Sequence, residues 1–117
     1  MPKYHWIFNQ VGAPVVLASQ GERGYSIDNV SNKRVNSYQL GCVSRDGGGV
    51  KIRQMMEERR VDWMAGEGEQ IMTTGQLEVK GICRKMGSLV AVVMVSFADH
   101  TKWQFPVAKT FERPNSP

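Results

Sequence analysis

Cysteine and histidine are scarce in this chain, with two of each among 117 residues. Two cysteines are too few for a disulfide scaffold. Zinc sites carry at least one close pair of ligands. The candidates His5, Cys42, Cys83 and His100 contain no such pair, so no metal or other cofactor is expected. Long hydrophobic runs are also missing. The longest is Leu89 to Val95, about seven residues, where a membrane helix needs roughly twenty. The opening Met1-Pro2-Lys3-Tyr4-His5-Trp6 has no apolar stretch followed by a small-residue cleavage site, so it is not read as a secretory signal. Localisation stays open: exported if a signal has been removed, cytoplasmic otherwise. Charge of one sign is in small excess. Fifteen Lys and Arg against eleven Asp and Glu give +4, which favours solubility without establishing a nucleic-acid partner.

Present instead are short alternating segments with turn residues between them. The length suits a single domain, read as residues 1–111, with 112–117 as a loose tail holding two prolines. Val15-Val16-Leu17 is a short apolar run. Tyr25 and Ile27 alternate with Ser26 and Asp28, the period of a half-buried strand. Tyr38, Leu40 and Cys42 share one face of the next segment, Val35 to Val43. With the turn Ser31-Asn32-Lys33-Arg34, these two segments read as a hairpin. Leu89 to Ala98 is the strongest strand, apolar on both faces in its first half and therefore expected at a sheet centre. Asp99-His100 reads as a two-residue turn into Thr101 to Phe105, a second hairpin.

The middle of the chain changes period. Ile52, Met55, Met56 and Trp63 recur near three, four and seven, so a short helix is predicted over residues 51–60, with a bent strand as the alternative. The glycines at 47–49, 66 and 68 flank a methionine cluster, Met55, Met56, Met64 and Met72, which suggests a mobile flap. Gln76 to Arg84 reads as a strand, with Gly81 marking a bulge. The sum is a mainly β chain: an immunoglobulin-like β-sandwich of about seven strands with one short helix. In such a sandwich Cys42 and Cys83 oppose each other as a candidate disulfide; the other reading is two buried thiols.

Two stretches resemble immunoglobulin-like domains of uncharacterised exported bacterial proteins. They are Ile27-Asp28-Asn29-Val30-Ser31-Asn32-Lys33-Arg34-Val35 through Tyr38-Gln39-Leu40-Gly41-Cys42, and Val93-Met94-Val95-Ser96-Phe97-Ala98-Asp99-His100-Thr101-Lys102-Trp103. Together they cover about a fifth of the chain. Such domains usually carry Gly where His100 stands, and a proline beside the glycine of Ala65-Gly66-Glu67. The resemblance implies the fold and export, and no catalytic residues.

Chemistry-bearing patterns are few. Asp99 and His100 are neighbours in a turn, which sends their side chains apart and suits no Cys-His-Asp site. Glu57 and Glu58 are adjacent, and Glu67 and Glu69 lie in a loop, without the walled pocket an acid–base pair needs. Arg45 to Lys51 lacks the Gly-Lys-Ser/Thr ending of a phosphate loop. Asn29-Val30-Ser31 is a glycosylation sequon. The leading expectation is a non-catalytic binding module with a protein partner. The alternative is a small β-barrel that binds single-stranded nucleic acid through Lys80, Arg84 and Lys85, with Trp6, Tyr38 or Trp103 stacking on bases.

Overall fold

The computed structural model describes residues 6–20, 24–46, 49–72 and 79–106. Within them the chain is mainly β, in two antiparallel sheets. The elements are β1 (Val15–Ser19), β2 (Gly24–Asn29), β3 (Val35–Asp46), β4 (Gly49–Met55), β5 (Arg59–Trp63), β6 (Gly68–Met72), α1 (Val79–Lys85), β7 (Leu89–Phe97) and β8 (Lys102–Gln104). The smaller sheet runs β1-β2-β6. The larger runs β4-β3-β7-β8, with β5 also pairing β3, and curls into a half-barrel. The proposed tail at 112–117 lies outside the described residues.

Alternation explains the layers. On β2, Tyr25 and Ile27 point into the space between the sheets. On β3, Val35, Tyr38, Leu40 and Cys42 do the same, and on β7 Val90, Val92, Val95 and Phe97. The other face of the larger sheet has its own apolar layer, Val43, Ala91, Val93 and Phe105, with Phe8, Val50, Ile52, Leu89 and Trp103 packed on it. Strand β7 is therefore apolar on both faces and central between β3 and β8, as its composition predicts. Gly41 sits where neighbouring atoms leave no room for a side chain. A Cβ there would lie 2.8 Å from the Gln54 carbonyl oxygen and 3.0 Å from Val93 Cγ1.

The helix predicted over 51–60 does not form; the bent strand does. The register slips between Cys42↔Gln54 and Val43↔Ile52, which leaves Arg53 as an extra residue. A bulge puts Ile52 and Met55 on one face three residues apart, and so imitates helical spacing. The Met56 N–H still reaches the Leu40 carbonyl at 2.8 Å. The segment is thus paired strand rather than a methionine-rich flap.

The helix lies instead over Val79–Lys85, where a strand was expected. Val79, Ile82, Cys83 and Met86 fall at helical spacing and pack on the core between the sheets. Gly87, at φ 69°, ends it. The Ser88 N–H donates to the Cys83 carbonyl (2.8 Å) and the Gly87 N–H to that of Arg84 (3.0 Å), the paired bonds of a Schellman ending. Ser88 Oγ is buried here without a partner. An unpaired buried hydroxyl carries a desolvation cost that an alanine avoids. Ser88→Ala should therefore leave stability unchanged or raise it by up to about 1 kcal/mol. A loss in a urea titration would show that the hydroxyl has a partner.

The first predicted hairpin is also absent. β2 pairs with β1 and β6, while β3 pairs with β4, β5 and β7. Residues 30–34 cross from one sheet to the other. Both strands keep the alternation read from sequence, but their apolar faces meet across the core rather than side by side.

The second hairpin, β7 to β8, is present with a longer loop. The Phe97 N–H donates to the Thr101 carbonyl (2.9 Å) and the His100 N–H to that of Phe97 (3.0 Å). His100 has φ 73°, so a three-residue loop ends in one left-handed residue. A Cβ is disfavoured there, and glycine is not. His100→Gly should keep the fold and stabilise it by no more than about 1 kcal/mol, since glycine also gains unfolded-state entropy. A loss above about 2 kcal/mol on thermal melting would mean that the imidazole is packed.

Candidate functional site

Cys42 and Cys83 are joined by a disulfide, with Cα atoms 5.2 Å apart, and both are buried. The bridge ties α1 to β3. It does not join two facing sheets, because Cys83 is helical. These thiols form part of the frame and offer no nucleophile.

The basic candidates Lys80, Arg84 and Lys85 share α1. The structure uses two of them internally. The Lys80 ammonium lies 4.9 Å from the centre of the Trp6 ring, and Arg84 is also engaged. Only Lys85 among the three carries no such contact. Two of the three proposed base-stacking rings are enclosed. Trp6 and Tyr38 are buried at 4% and 1% exposure, Tyr38 stacked on Trp63 at 5.3 Å. Trp103 is half-buried. Burial raises the Tyr38 phenol above its ordinary value. Among the described residues, no three of His, Cys, Asp and Glu come together as metal ligands.

Different residues converge at one end of the two sheets. The pairs Val15↔Asn29, Asp28↔Gly68, Val35↔Trp63 and Val35↔Phe97 bring the loops at 10–14, 30–34, 64–67 and 98–101 to the same end. Their polar groups hold the loops to each other. The Asn29 side-chain amide is fully buried. Its nitrogen donates to the carbonyls of Lys33 (2.8 Å), Trp63 (3.1 Å) and Met64 (3.1 Å). Its oxygen accepts from the N–H (3.0 Å) and hydroxyl (2.7 Å) of Ser31. The sequon asparagine is thus a structural node and offers no free amide to a glycan. The Glu67 carboxylate accepts from the Met64 N–H at 2.7 Å.

No known family, curated protein or solved structure matches this chain.

Two ion pairs form at this end. Arg34 holds Asp62 through two hydrogen bonds of 2.7 and 3.0 Å. The Arg34 guanidinium lowers the Asp62 carboxyl, and is itself raised by it. Asp99 Oδ1 accepts from the Thr101 hydroxyl and N–H, and Oδ2 lies 3.2 Å from the Lys33 ammonium. Thr101 first, then Lys33, hold the Asp99 carboxyl down to about 2. A depressed folded-state carboxyl stabilises above its unfolded pKa, and the effect is lost as pH falls through the folded value. The Asp99 contribution should therefore persist at neutral pH and fade between about 4 and about 2. Carboxyl NMR titration should place its midpoint near 2, and Thr101→Val should raise it. An ordinary midpoint in the wild type would contradict the geometry.

Apolar side chains stand out against these fixed polar groups. Val11 is 94% exposed, Val30 58% and Met64 52%. Backbone bonds set their loops side by side. The Val30 N–H donates to the Pro14 carbonyl (2.9 Å), and the Gly66 N–H to that of Asn29 (2.9 Å). Sequence reading put the sequon Asn29-Val30-Ser31 here and Met64 in a methionine cluster, but no apolar surface, since each aliphatic is isolated along the chain. The signal lay in Val11 and Val30, aliphatics in turns that otherwise favour Gly, Asn, Asp or Ser.

Proposed function

We propose that this chain is a non-catalytic interaction module on an immunoglobulin-like sandwich, and that it takes a protein partner. The observation that carries the reading is the construction of the loop end. Asn29, Glu67 and Asp99 spend their polar atoms on positioning loops, while aliphatic side chains are left in water. Rigid loops on a β scaffold are a common basis for binding. The buried Cys42–Cys83 bridge supports the same reading, because such bridges persist in the oxidising compartments where exported interaction modules work. Two antiparallel sheets over a shared core support the immunoglobulin-like arrangement.

The test is an amide NMR titration of the labelled chain at low salt, with a pool of random peptides in one series and a single-stranded oligonucleotide in the other. Shifts with peptides alone are expected. Saturable, salt-sensitive shifts around Lys80, Arg84 and Lys85 with the oligonucleotide would replace this reading with the nucleic-acid one.

A further inference from the structure

We infer that the loop end bearing Val11, Val30 and Met64 is the docking surface, and that its occupant is a neutral, apolar segment of a protein partner. This rests on the interaction-module reading and adds both the place and the chemistry of the partner.

Exposed aliphatics are unremarkable when scattered and informative when gathered. Among the described residues, the exposed large hydrophobic side chains are Val11, Val30, Met55 and Met64. All but Met55 belong to loops at the same end of the sheets. The loops are already ordered, so little entropy is lost when a partner binds. Asn29 and the Pro14–Val30 bond fix the backbone beneath the exposed side chains.

The charge pattern selects the occupant. The Arg34 guanidinium is neutralised by Asp62, and the Lys33 ammonium by Asp99 and the face of Phe97. Lys33 and Arg34 are the only Lys or Arg in the loops at 10–14, 30–34, 64–67 and 98–101, so among the described residues these loops hold no unpaired cation to draw in anionic lipid or a nucleic-acid backbone. An anionic partner would have to compete with Asp62 and Asp99 for these cations, whereas an uncharged apolar segment leaves both pairs intact. Size argues against a second copy of the chain. A stable dimer buries roughly 800 Å² on each partner, and three side chains exposed to 94%, 58% and 52% supply only a part of that. A short peptide segment fits both limits.

The full disulfide-bonded chain, immobilised, is panned against a phage-displayed random heptapeptide library. Enriched peptides are then synthesised and their affinities measured. The expected result is enrichment of uncharged apolar peptides whose affinity falls at least about tenfold on the Val11→Ser/Val30→Ser/Met64→Ser variant. Met55→Ser, on the β4 edge, should leave it unchanged. Melting of each variant checks the fold. Val11→Ser alone, at the most exposed position, stands in if the triple variant melts early. Enriched peptides that bind the triple variant equally well would overturn the loop end as the surface, yet leave the interaction module standing. Enrichment of charged peptides overturns the partner chemistry. No enrichment of any peptide overturns both proposals. Wild-type dimers in sedimentation, abolished in the triple variant, would overturn the peptide in favour of a second copy. Binding to lipid vesicles that the variant loses would do so in favour of a membrane.

Discussion

Replacing both bridged cysteines, Cys42→Ala with Cys83→Ala, should lower stability by roughly 2–4 kcal/mol, the range typical of disulfides. The closed loop has a sequence separation of 41. The chain-entropy model gives about 4 kcal/mol for a loop of that size. The melting temperature should fall by roughly 10–20 °C, given the sensitivity of domains this small. The damage should be local first. A helix as short as α1 does not hold itself together in water, and depends on its packed face. Cys83 is its most buried residue, and the bond to β3 anchors it. Hydrogen exchange should therefore show the α1 amides losing protection well before those of β7. The double variant avoids a stray buried thiol, which either single change would leave. An unaltered melting temperature, or two free thiols titrating in the oxidised wild type, would show that the bridge does not form.

Alternation made the strands legible. β7 could be placed from its run of strand formers, apolar on both faces, and β8 from the alternation of Thr101, Trp103 and Phe105 with Lys102 and Gln104. Partnership was harder. Nothing in Ser31-Asn32-Lys33-Arg34 distinguishes a hairpin turn from a crossing between sheets, since both need the same turn-forming residues. The middle was misread for a geometric reason. The extra residue at Arg53 spaced Ile52 and Met55 like a helix, while the true helix was hidden by Gly81 in the run of Val79, Ile82 and Cys83. Cys42 and Cys83 were legible as a pair, though the helical setting of Cys83 was not. The loop-end grouping was out of reach, because the loops of Val11, Val30 and Met64 come to one end only when both sheets form.

Among the described residues, Asn29 should be the most sensitive polar one. Asn29→Leu keeps the branched shape and the number of heavy atoms, with bulkier ends, and removes every side-chain hydrogen bond. The carbonyls of Lys33, Trp63 and Met64 would lose their shared donor, and Ser31 would lose its acceptor. A buried polar group stripped of its partner costs about 1–3 kcal/mol. Several such losses at one node should destabilise by roughly 3–5 kcal/mol, among the large values for point changes. The loop at 64–67 should loosen with it, because the Asn29 backbone also holds the Glu67 carbonyl (2.8 Å) and the Gly66 N–H (2.9 Å). Asn29→Asp separates hydrogen bonding from shape. Its carboxylate would face three carbonyl oxygens, a repulsion relieved by taking up a proton. The folded variant would then bind a proton more tightly than the unfolded chain, so its stability must fall as pH rises. Urea titrations should find Asn29→Asp less stable at pH 7 than near pH 4, and weaker than wild type at both. Equal stability of Asn29→Leu and wild type would mean that the amide is solvated and the loop end is not held from within. A flat pH response in Asn29→Asp would mean that its carboxylate has turned away from the carbonyls.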